Sequence, residues 1–168
     1  MLSFPSRMRI GIVSDTHDQM KNVARIVELF NAAGVDRVVH TGDITKAKTI
    51  HALSALRAPV FGVFGNNDKE RESLESAIRQ RGFHFVDATL ELEWGNRRIF
   101  VVHDPLDFDQ MRLGTGEVLL HGHTHRRVID QRNQRLHFNP GECAGHLEGH
   151  NAVGVLDLDT LEPEILLF

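Results

Sequence analysis

Five short clusters of carboxylate, amide and imidazole side chains in this sequence could bind metal ions. Each cluster follows a short apolar run. The clusters supply seven candidate ligands, which are Asp15, His17, Asp43, Asn66, His103, His123 and His125. Imidazole suits zinc, manganese, iron and nickel, whereas calcium takes oxygen ligands, and the carboxylates compensate the charge of the ions. The set therefore favours paired transition-metal ions.

The spacing within the clusters suits shared ligation. Asp15 and His17 are two residues apart, and in extended chain this spacing points both side chains the same way. Gly42 permits a tight turn before Asp43, whose two carboxylate oxygens can reach two ions. The Asn66 side chain offers a neutral oxygen. Each cluster alone also fits a turn, a helix cap or a hydrogen-bonded histidine, so the metal hypothesis depends on all of them together.

Alternating strands and helices would bring the clusters together. Apolar runs predict strands at residues 9–13, 37–39 and 60–64, and a helical run at 50–56. Apolar residues at three- and four-residue steps predict a helix from Met20 to Ala33, which Gly34 is expected to end. Helices between strands indicate a largely parallel sheet. Ligand-bearing loops lie at the carboxyl ends of such strands, so the first three clusters should share one edge.

The second half has short strand-like runs separated by close turns. We expect them at residues 83–86, 89–92, 98–102, 118–120, 127–129, 135–138, 152–158 and 164–167. Residues 94–97 and 131–134 are typical of hairpin turns. These runs predict a second, mixed sheet packed on the first, with helices outside. Because no repeat or linker marks a boundary, residues 1–168 are expected to form one domain.

Composition narrows the function classes. A chain of 168 residues that is 41% hydrophobic can bury a core, and its net charge of −4 argues against a nucleic-acid binder. Cys143, the single cysteine, excludes an internal disulfide and indicates a reducing compartment. Residues 1–7 lack the apolar core of a signal peptide, and no stretch has membrane-spanning length. We therefore expect a cytoplasmic protein without a membrane partner; a homo-oligomer is left open.

The order of the clusters resembles that of the calcineurin-like metallophosphoesterases. The shared pattern is Asp-x-His, Gly-Asp, Gly-Asn-x-Asp, His and Gly-His-x-His, and it spans residues 10–125. The compact size and residues 139–141, Asn-Pro-Gly, resemble the small, cap-less phosphodiesterase branch of that superfamily. This resemblance implies an α/β fold, a four-layer αββα sandwich of two mixed sheets with helices on the outer faces.

The resemblance also implies a role for each ligand. One ion would be bound by Asp15, His17, Asp43 and His125. The other would be bound by Asp43, Asn66, His103 and His123. A water bridging the ions would attack a small phosphodiester directly, because two cations about 3.5 to 4 Å apart lower the pKa of that water. Manganese is the expected metal, with nickel, iron and zinc as alternatives.

Two positions depart from the family pattern. Many larger members have a histidine after the metal-binding asparagine, where it can assist the leaving group, but this sequence has Asn67, which is our candidate catalytic residue. An amide cannot serve as a general acid, so phosphodiesters with good leaving groups are predicted to be favoured. At Asp104 the family commonly has glycine. Asp104 could orient His103 or cap the turn before Pro105, and we favour the cap.

The other polar residues have simpler interpretations. His40 and His121 could support the ligands through hydrogen bonds, or could be packed at strand ends. Asp68 is expected to brace its loop, and Cys143 to be a small buried residue. Five histidines are predicted to be structural or solvated, namely His51, His84, His137, His146 and His150.

Two alternatives remain beside the phosphodiesterase. The resemblance includes a retromer subunit that works through protein contacts, which would make this chain a metal-poor scaffold, but all seven ligand positions here have residues able to bind metal. The superfamily also includes nucleases. Four arginines near the last cluster could favour a nucleic acid, but we favour a solvated hairpin face as their explanation; they are Arg126, Arg127, Arg132 and Arg135.

Overall fold

Eleven strands form two sheets in the computed structural model, which describes residues 7–168. The strands are β1 (Arg9–Val13), β2 (Arg37–His40), β3 (Val60–Val63), β4 (His84–Val86), β5 (Leu90–Trp94), β6 (Arg97–Val101), β7 (Val118–Leu120), β8 (Val128–Arg132), β9 (Arg135–Asn139), β10 (Ala152–Asp157) and β11 (Pro163–Leu167). Residues 1–6, part of the segment that lacks a signal-peptide pattern, lie outside the described residues.

The first sheet has the strand order β11-β10-β1-β2-β3-β4. Strands β1 to β4 are mutually parallel, and β10 and β11 add antiparallel pairs at one side. The prediction of a largely parallel first half is confirmed. Parallel alignment brings the carboxyl ends of β1, β2 and β3 to one edge of the sheet, where the first three ligand clusters begin.

Three α-helices pack on the outer face of this sheet: α1 (Met20–Ala33), α2 (Ala47–Leu53) and α3 (Arg71–Arg81). Helix α1 has the predicted bounds, and Gly34 ends it with a left-handed φ of 64°. The buried face of α1 includes Phe30, whose ring lies against Gly11 of β1, where a Cβ would come within 2.7 Å of it.

The predictions for the other two helices were less accurate. Helix α2 begins and ends three residues earlier than the predicted 50–56. It ends early because the Ala55 and Leu56 N–H groups bond three residues back and tighten the chain into a turn. Helix α3 was not predicted. It buries only Leu74, Ala77 and Ile78, so its apolar stripe is too narrow to stand out in the sequence.

The second sheet has the order β5-β6-β7-β9-β8 and is mixed, as predicted. Three of the runs expected in it belong to the first sheet instead, because β4 pairs with β3, β10 pairs with β1 and β11 pairs with β10. Both predicted hairpins are confirmed, with β5–β6 and β8–β9 paired antiparallel. Each turn has two residues at positive φ, Gly95 and Asn96 in one and Asn133 and Gln134 in the other. Positive φ at both positions matches the right-handed twist of the strands. Strands β6 and β7 are parallel, which aligns the ends that carry the last two clusters.

The two sheets enclose one apolar core. Ile12 and Val39 of the first sheet meet Ile99, Leu120 and other inward-facing residues of the second. The predicted αββα sandwich of two mixed sheets is confirmed. Its two outer layers differ in helix content, with three α-helices on the first sheet and less helix on the second. A short 3-10 helix at Pro105–Gln110 helps to cover the far face of the second sheet.

None of the helices formed by residues 7–168 combines the length and the apolarity needed to cross a bilayer.

Phe138 of β9 joins the two sheets, and its removal should destabilise the protein. The ring is fully buried and lies against Gly154 of β10. Phe138→Ala is expected to lower the free energy of unfolding by about 3 to 5 kcal/mol, because it leaves a cavity in the core. Urea unfolding measures this loss, with Leu167→Ala, which removes a largely exposed side chain, as the control. Equal losses in the two variants would contradict the assigned core.

Candidate metal centre

Five loops from both sheets converge at one edge and carry all seven predicted ligands. They follow β1, β2, β3, β6 and β7. Backbone hydrogen bonds tie the loops together: the Asp15 N–H donates to the Gly42 carbonyl at 3.1 Å, and the Gly122 N–H donates to the His103 carbonyl at 3.0 Å. The ligand side chains therefore sit on loops whose relative positions are fixed by the sheets.

Five of the seven residues have left-handed backbone conformations. Their φ values lie between 42° and 67°, and the residues are Asp15, His17, Asp43, His123 and His125. Such conformations are uncommon outside glycine and concentrate at functional sites. Aspartate and histidine adopt them more readily than branched residues, so these residue types suit the loops as well as the chemistry.

The first group of ligands is compact. One ligand atom from each of Asp15, His17, Asp43 and His125 lies within 4.8 Å of all the others. His17 Nε2 is 3.2 Å from Asp43 Oδ2, and His125 Nε2 is 3.6 Å from Asp15 Oδ1. Carboxylate oxygens and imidazole nitrogens thus face a common point.

Two buried atoms of this group show that a cation fits there. Asp15 Oδ1 and His17 Nε2 have no hydrogen-bond partner within residues 7–168, although His17 Nε2 is close to Asp43. Buried polar atoms are nearly always satisfied, because an unpaired one costs free energy. A divalent ion between them would satisfy both, and the nitrogen and oxygen donors suit a transition metal.

The second group lies beside the first. Asn66 Oδ1 is 2.8 Å from His103 Nε2 and 3.0 Å from His123 Nδ1. His103 Nδ1 is 2.9 Å from the Thr41 carbonyl oxygen, which leaves Nε2 facing Asn66. His103 Nε2 is also 3.5 Å from Asp43 Oδ1. The structure therefore brings Asn66, His103 and His123 together, and His103 lies beside the second oxygen of Asp43.

Asp43 lies between the two groups and is held as a carboxylate. Burial alone would raise its pKa, but contacts with His17 and Asn67 outweigh burial and hold the pKa well below the usual range. Burial raises the pKa of Asp15, although Ser14 and the His123 N–H both donate to its Oδ2. A cation at the site would offset the cost of burying both charges.

Comparison with known proteins identifies the family. Residues 8–161 match the calcineurin-like phosphoesterase superfamily domain. The chain belongs to the calcineurin-like phosphoesterase superfamily. It is 34% identical to phosphodiesterase MJ0936 of Methanocaldococcus jannaschii over 92% of this chain and 96% of that protein. It is 29% identical to phosphodiesterase YfcE of Escherichia coli K12 over 92% of this chain and 90% of YfcE.

A solved structure supports the same family. It is described as a novel archaeal phosphodiesterase, shares 31% identity and superimposes with a TM-score of 0.85 over 96% of this chain and 100% of that one. This calcineurin-like protein is thus a metal-dependent phosphoesterase of the small, cap-less branch.

Asn67, the departure from the larger calcineurin-like members, contacts Asp43. Its side-chain amide donates to Asp43 Oδ2 at 2.8 Å, and its backbone N–H donates to Asp43 Oδ1 at 2.9 Å. Asp68 braces the loop, as predicted, by accepting from the backbone N–H groups of Asp43, Thr45 and Gly65. Both residues therefore fix the carboxylate shared by the two groups.

The predicted cap at Asp104 is confirmed. Asp104 Oδ1 accepts from the Leu106 N–H at 3.0 Å at the start of the 3-10 helix. His40 makes supporting hydrogen bonds: its Nδ1 accepts from the Gly42 N–H and its Nε2 lies 3.1 Å from Thr16 Oγ1. Burial lowers the pKa of His40 to about 3, so it stays neutral.

The other histidines differ in their burial and in their distance from the candidate ligands. His121 is buried and packs edge-on against Phe108, and burial lowers its pKa to about 4. Away from the ligands, His51 accepts from Arg81 Nε, and His84 and His150 are exposed, as predicted. His146 is exposed, as predicted, but the sequence did not reveal that its ring stacks on His125, with centroids 5.1 Å apart, and lies 5.4 Å from His17.

Glu142 was also missed by the sequence reasoning. Its side chain is fully buried, and Oε2 lies 3.0 Å from His125 Nδ1. Glu142 and His146 belong to the loop after β9, far from the metal-binding pattern in sequence. The available signal was an acidic residue directly after the Asn-Pro-Gly segment, but only the fold brings it to the ligands.

Gly122 is tightly enclosed and provides a test of the site. A Cβ at this position would collide with Ser14 Oγ, and it would approach Thr41 Oγ1 to 2.7 Å and Asp15 Oδ2 to 2.8 Å. Gly122→Ala should displace Asp15 and weaken Mn²⁺ binding at least about tenfold, the size of effect seen when ligand support is lost.

Isothermal titration of the folded apo variant measures this effect. Gly114→Ala is the control, because its Cβ meets only ordinary contacts with Glu117. Wild-type Mn²⁺ affinity in Gly122→Ala would show that Asp15 is not part of a metal site.

Proposed function

We propose that this protein is a dinuclear-metal phosphodiesterase that hydrolyses small phosphodiesters with good leaving groups. The observation that carries the proposal is the position of Asp43. Its Oδ2 is 3.2 Å from His17 Nε2, and its Oδ1 is 3.5 Å from His103 Nε2. One carboxylate with an oxygen directed to each ligand group is suited to bridge two ions.

The seven residues would hold the ions as the family pattern implies. When bound there, two divalent ions would supply an activated water nucleophile and charge neutralisation at the phosphoryl oxygens. The protein supplies the charge balance through Asp15 and Asp43, and it fixes Asp43 through Asn67. Manganese is the proposed metal, with nickel, iron or zinc as alternatives, because the donors are nitrogen and oxygen.

The substrate would approach from the side of His123. This side chain is 41% exposed, whereas the Asp15 side chain is fully buried. A site open on one side, without a cap, accommodates small diesters and contributes few specific contacts. We assign the protein to the cytoplasm on the sequence argument from its single cysteine, Cys143, which is fully buried.

The alternatives have less support. A protein-binding scaffold has no need of seven metal-compatible residues with unpaired buried atoms among them. A nuclease would need free basic side chains, but three of the four arginines near the last cluster are engaged. Arg127 and Arg135 donate to backbone carbonyls, and Arg132 pairs with Asp130.

Hydrolysis of bis-(p-nitrophenyl) phosphate tests the proposal directly. The wild type should turn it over only with added Mn²⁺ or Ni²⁺. Asp43→Ala and His123→Ala should each lower kcat/KM at least about a hundredfold, because the ions supply several kcal/mol of transition-state stabilisation. His150→Ala replaces an exposed histidine and is the matched control, expected to keep wild-type activity. Metal-independent turnover, or equal activity in all variants, would reject the proposal.

Leaving-group dependence tests the role of Asn67. Because an amide cannot donate a proton as a general acid, kcat should fall steeply as the pKa of the leaving alcohol rises. Aryl diesters should therefore react much faster than alkyl diesters. The measurement is kcat across a series of diesters, and Asn67→His should flatten the slope. Equal turnover of alkyl and aryl esters by the wild type, with matched binding, would contradict this prediction.

A further inference from the structure

A buried carboxylate outside the metal-binding pattern contacts one of the ligand histidines. Glu142 is fully buried in the loop after β9, and its Oε2 lies 3.0 Å from His125 Nδ1. Its Oε1 accepts from the Leu147 N–H at 2.8 Å. Both oxygens of the carboxylate are therefore engaged, one by the loop and one by His125.

The backbone around Glu142 is fixed to the metal-site loops. The Glu142 carbonyl accepts from the Ala152 N–H at 3.1 Å, and the next residue, Cys143, donates its N–H to the Asp15 carbonyl at 3.3 Å. The turn before Glu142 depends on Gly141, which has φ of 109° and donates to Asn139 Oδ1. The carboxylate thus has a defined position relative to Asp15 and His125.

This contact determines which nitrogen of His125 can bind a metal. A carboxylate only accepts hydrogen bonds, so the Nδ1 that faces Glu142 carries the proton. The lone pair is then on Nε2, which lies 3.6 Å from Asp15 Oδ1. Burial alone would raise the pKa of Glu142, but the hydrogen bonds from His125 and Leu147 outweigh burial and lower it.

We infer that Glu142 is a positioning residue for the first ion, because it fixes the ring orientation and the tautomer of His125. The inference rests on the proposed two-metal function and adds a residue to it. His103 receives comparable support from the Thr41 carbonyl at 2.9 Å, whereas His125 receives it from a charged side chain. A charged acceptor strengthens the hydrogen bond and raises the basicity of the ligand nitrogen.

The His146 ring, which stacks on His125, lies beside the same carboxylate. Its Nδ1 is 3.6 Å from Glu142 Oε2. His125, Glu142 and His146 together could also suggest a separate metal site. The geometry argues against that site, because the Oε2 that would bind the ion already accepts from His125 Nδ1. The assignment of Glu142 as a positioning residue accounts for the contact without a further ion.

The test is Mn²⁺ binding to the metal-free protein, measured by isothermal titration. Glu142→Ala should weaken the binding of one ion about 10- to 100-fold, the usual cost of losing the partner of a ligand histidine. The other ion should bind within about threefold of wild type, because the support of His103 by Thr41 is unchanged. Glu148→Ala removes the same charge from an exposed position in the same loop and should bind both ions normally.

The tautomer of His125 provides a readout that a purely structural role would not change. Long-range ¹H–¹⁵N spectra of the metal-free protein should show the Nδ1–H form in the wild type and a shift toward Nε2–H in Glu142→Ala. If Glu142→Ala does not fold, the same measurements are made on Glu142→Gln. This variant keeps the shape of the side chain but replaces a charged acceptor by a neutral one. The affinity of Glu142→Gln for the ion bound by His125 should lie between those of the wild type and of Glu142→Ala.

The outcomes are distinguishable. If the wild type does not bind two ions, the proposed function fails. If the wild type binds two ions and both Glu142 variants match it in affinity and tautomer, only the role of Glu142 fails. A third ion that binds the wild type and is lost in Glu142→Ala would overturn the inference in favour of a metal site at His125, Glu142 and His146.

Discussion

Burial of two carboxylates at one edge of a sheet is the constraint on which the rest of the site depends. Asp15 and Asp43 are almost completely excluded from solvent and lie at the ends of neighbouring parallel strands. Burying like charges costs free energy unless donors or cations compensate them. The protein surrounds the pair with N–H donors and imidazole rings, and metal ions bound there would supply the remaining compensation. Metal affinity and the cost of folding this edge are thus linked.

Close packing of the loops keeps this arrangement rigid. Gly42, Gly65 and Gly122 lie where a Cβ would collide with ligand side chains or with the backbone that carries them. Backbone hydrogen bonds join the loop after β1 to the loop after β2, and the loop after β6 to the loop after β7. Ligands held this way need little reorganisation when ions bind, which favours both affinity and catalysis.

Features outside the shared family pattern surround the candidate ligands and are expected to modify the chemistry of the site. Asn67 donates two hydrogen bonds to Asp43, which lies between the two ligand groups, but its amide provides no proton for a leaving group. Glu142 orients His125 from a loop beyond the pattern, and His146 adds a second ring beside the first group. The substrate range of this phosphoesterase is therefore expected to depend on these neighbours as much as on the ligands themselves.

The sequence alone determined the elements with strong local signals and supplied the list of candidate ligands. Helix α1, both hairpins and the parallel strands β1, β2 and β3 follow from apolar periodicity and turn residues, which act over a few positions. Helix α3 and the roles of Glu142 and His146 were decided only by the tertiary structure. Helix α3 has a weak apolar stripe, and Glu142 meets His125 across 17 residues through the pairing of β9 beside β7. Contacts that depend on the pairing of strands distant in sequence have no local pattern from which they could be predicted.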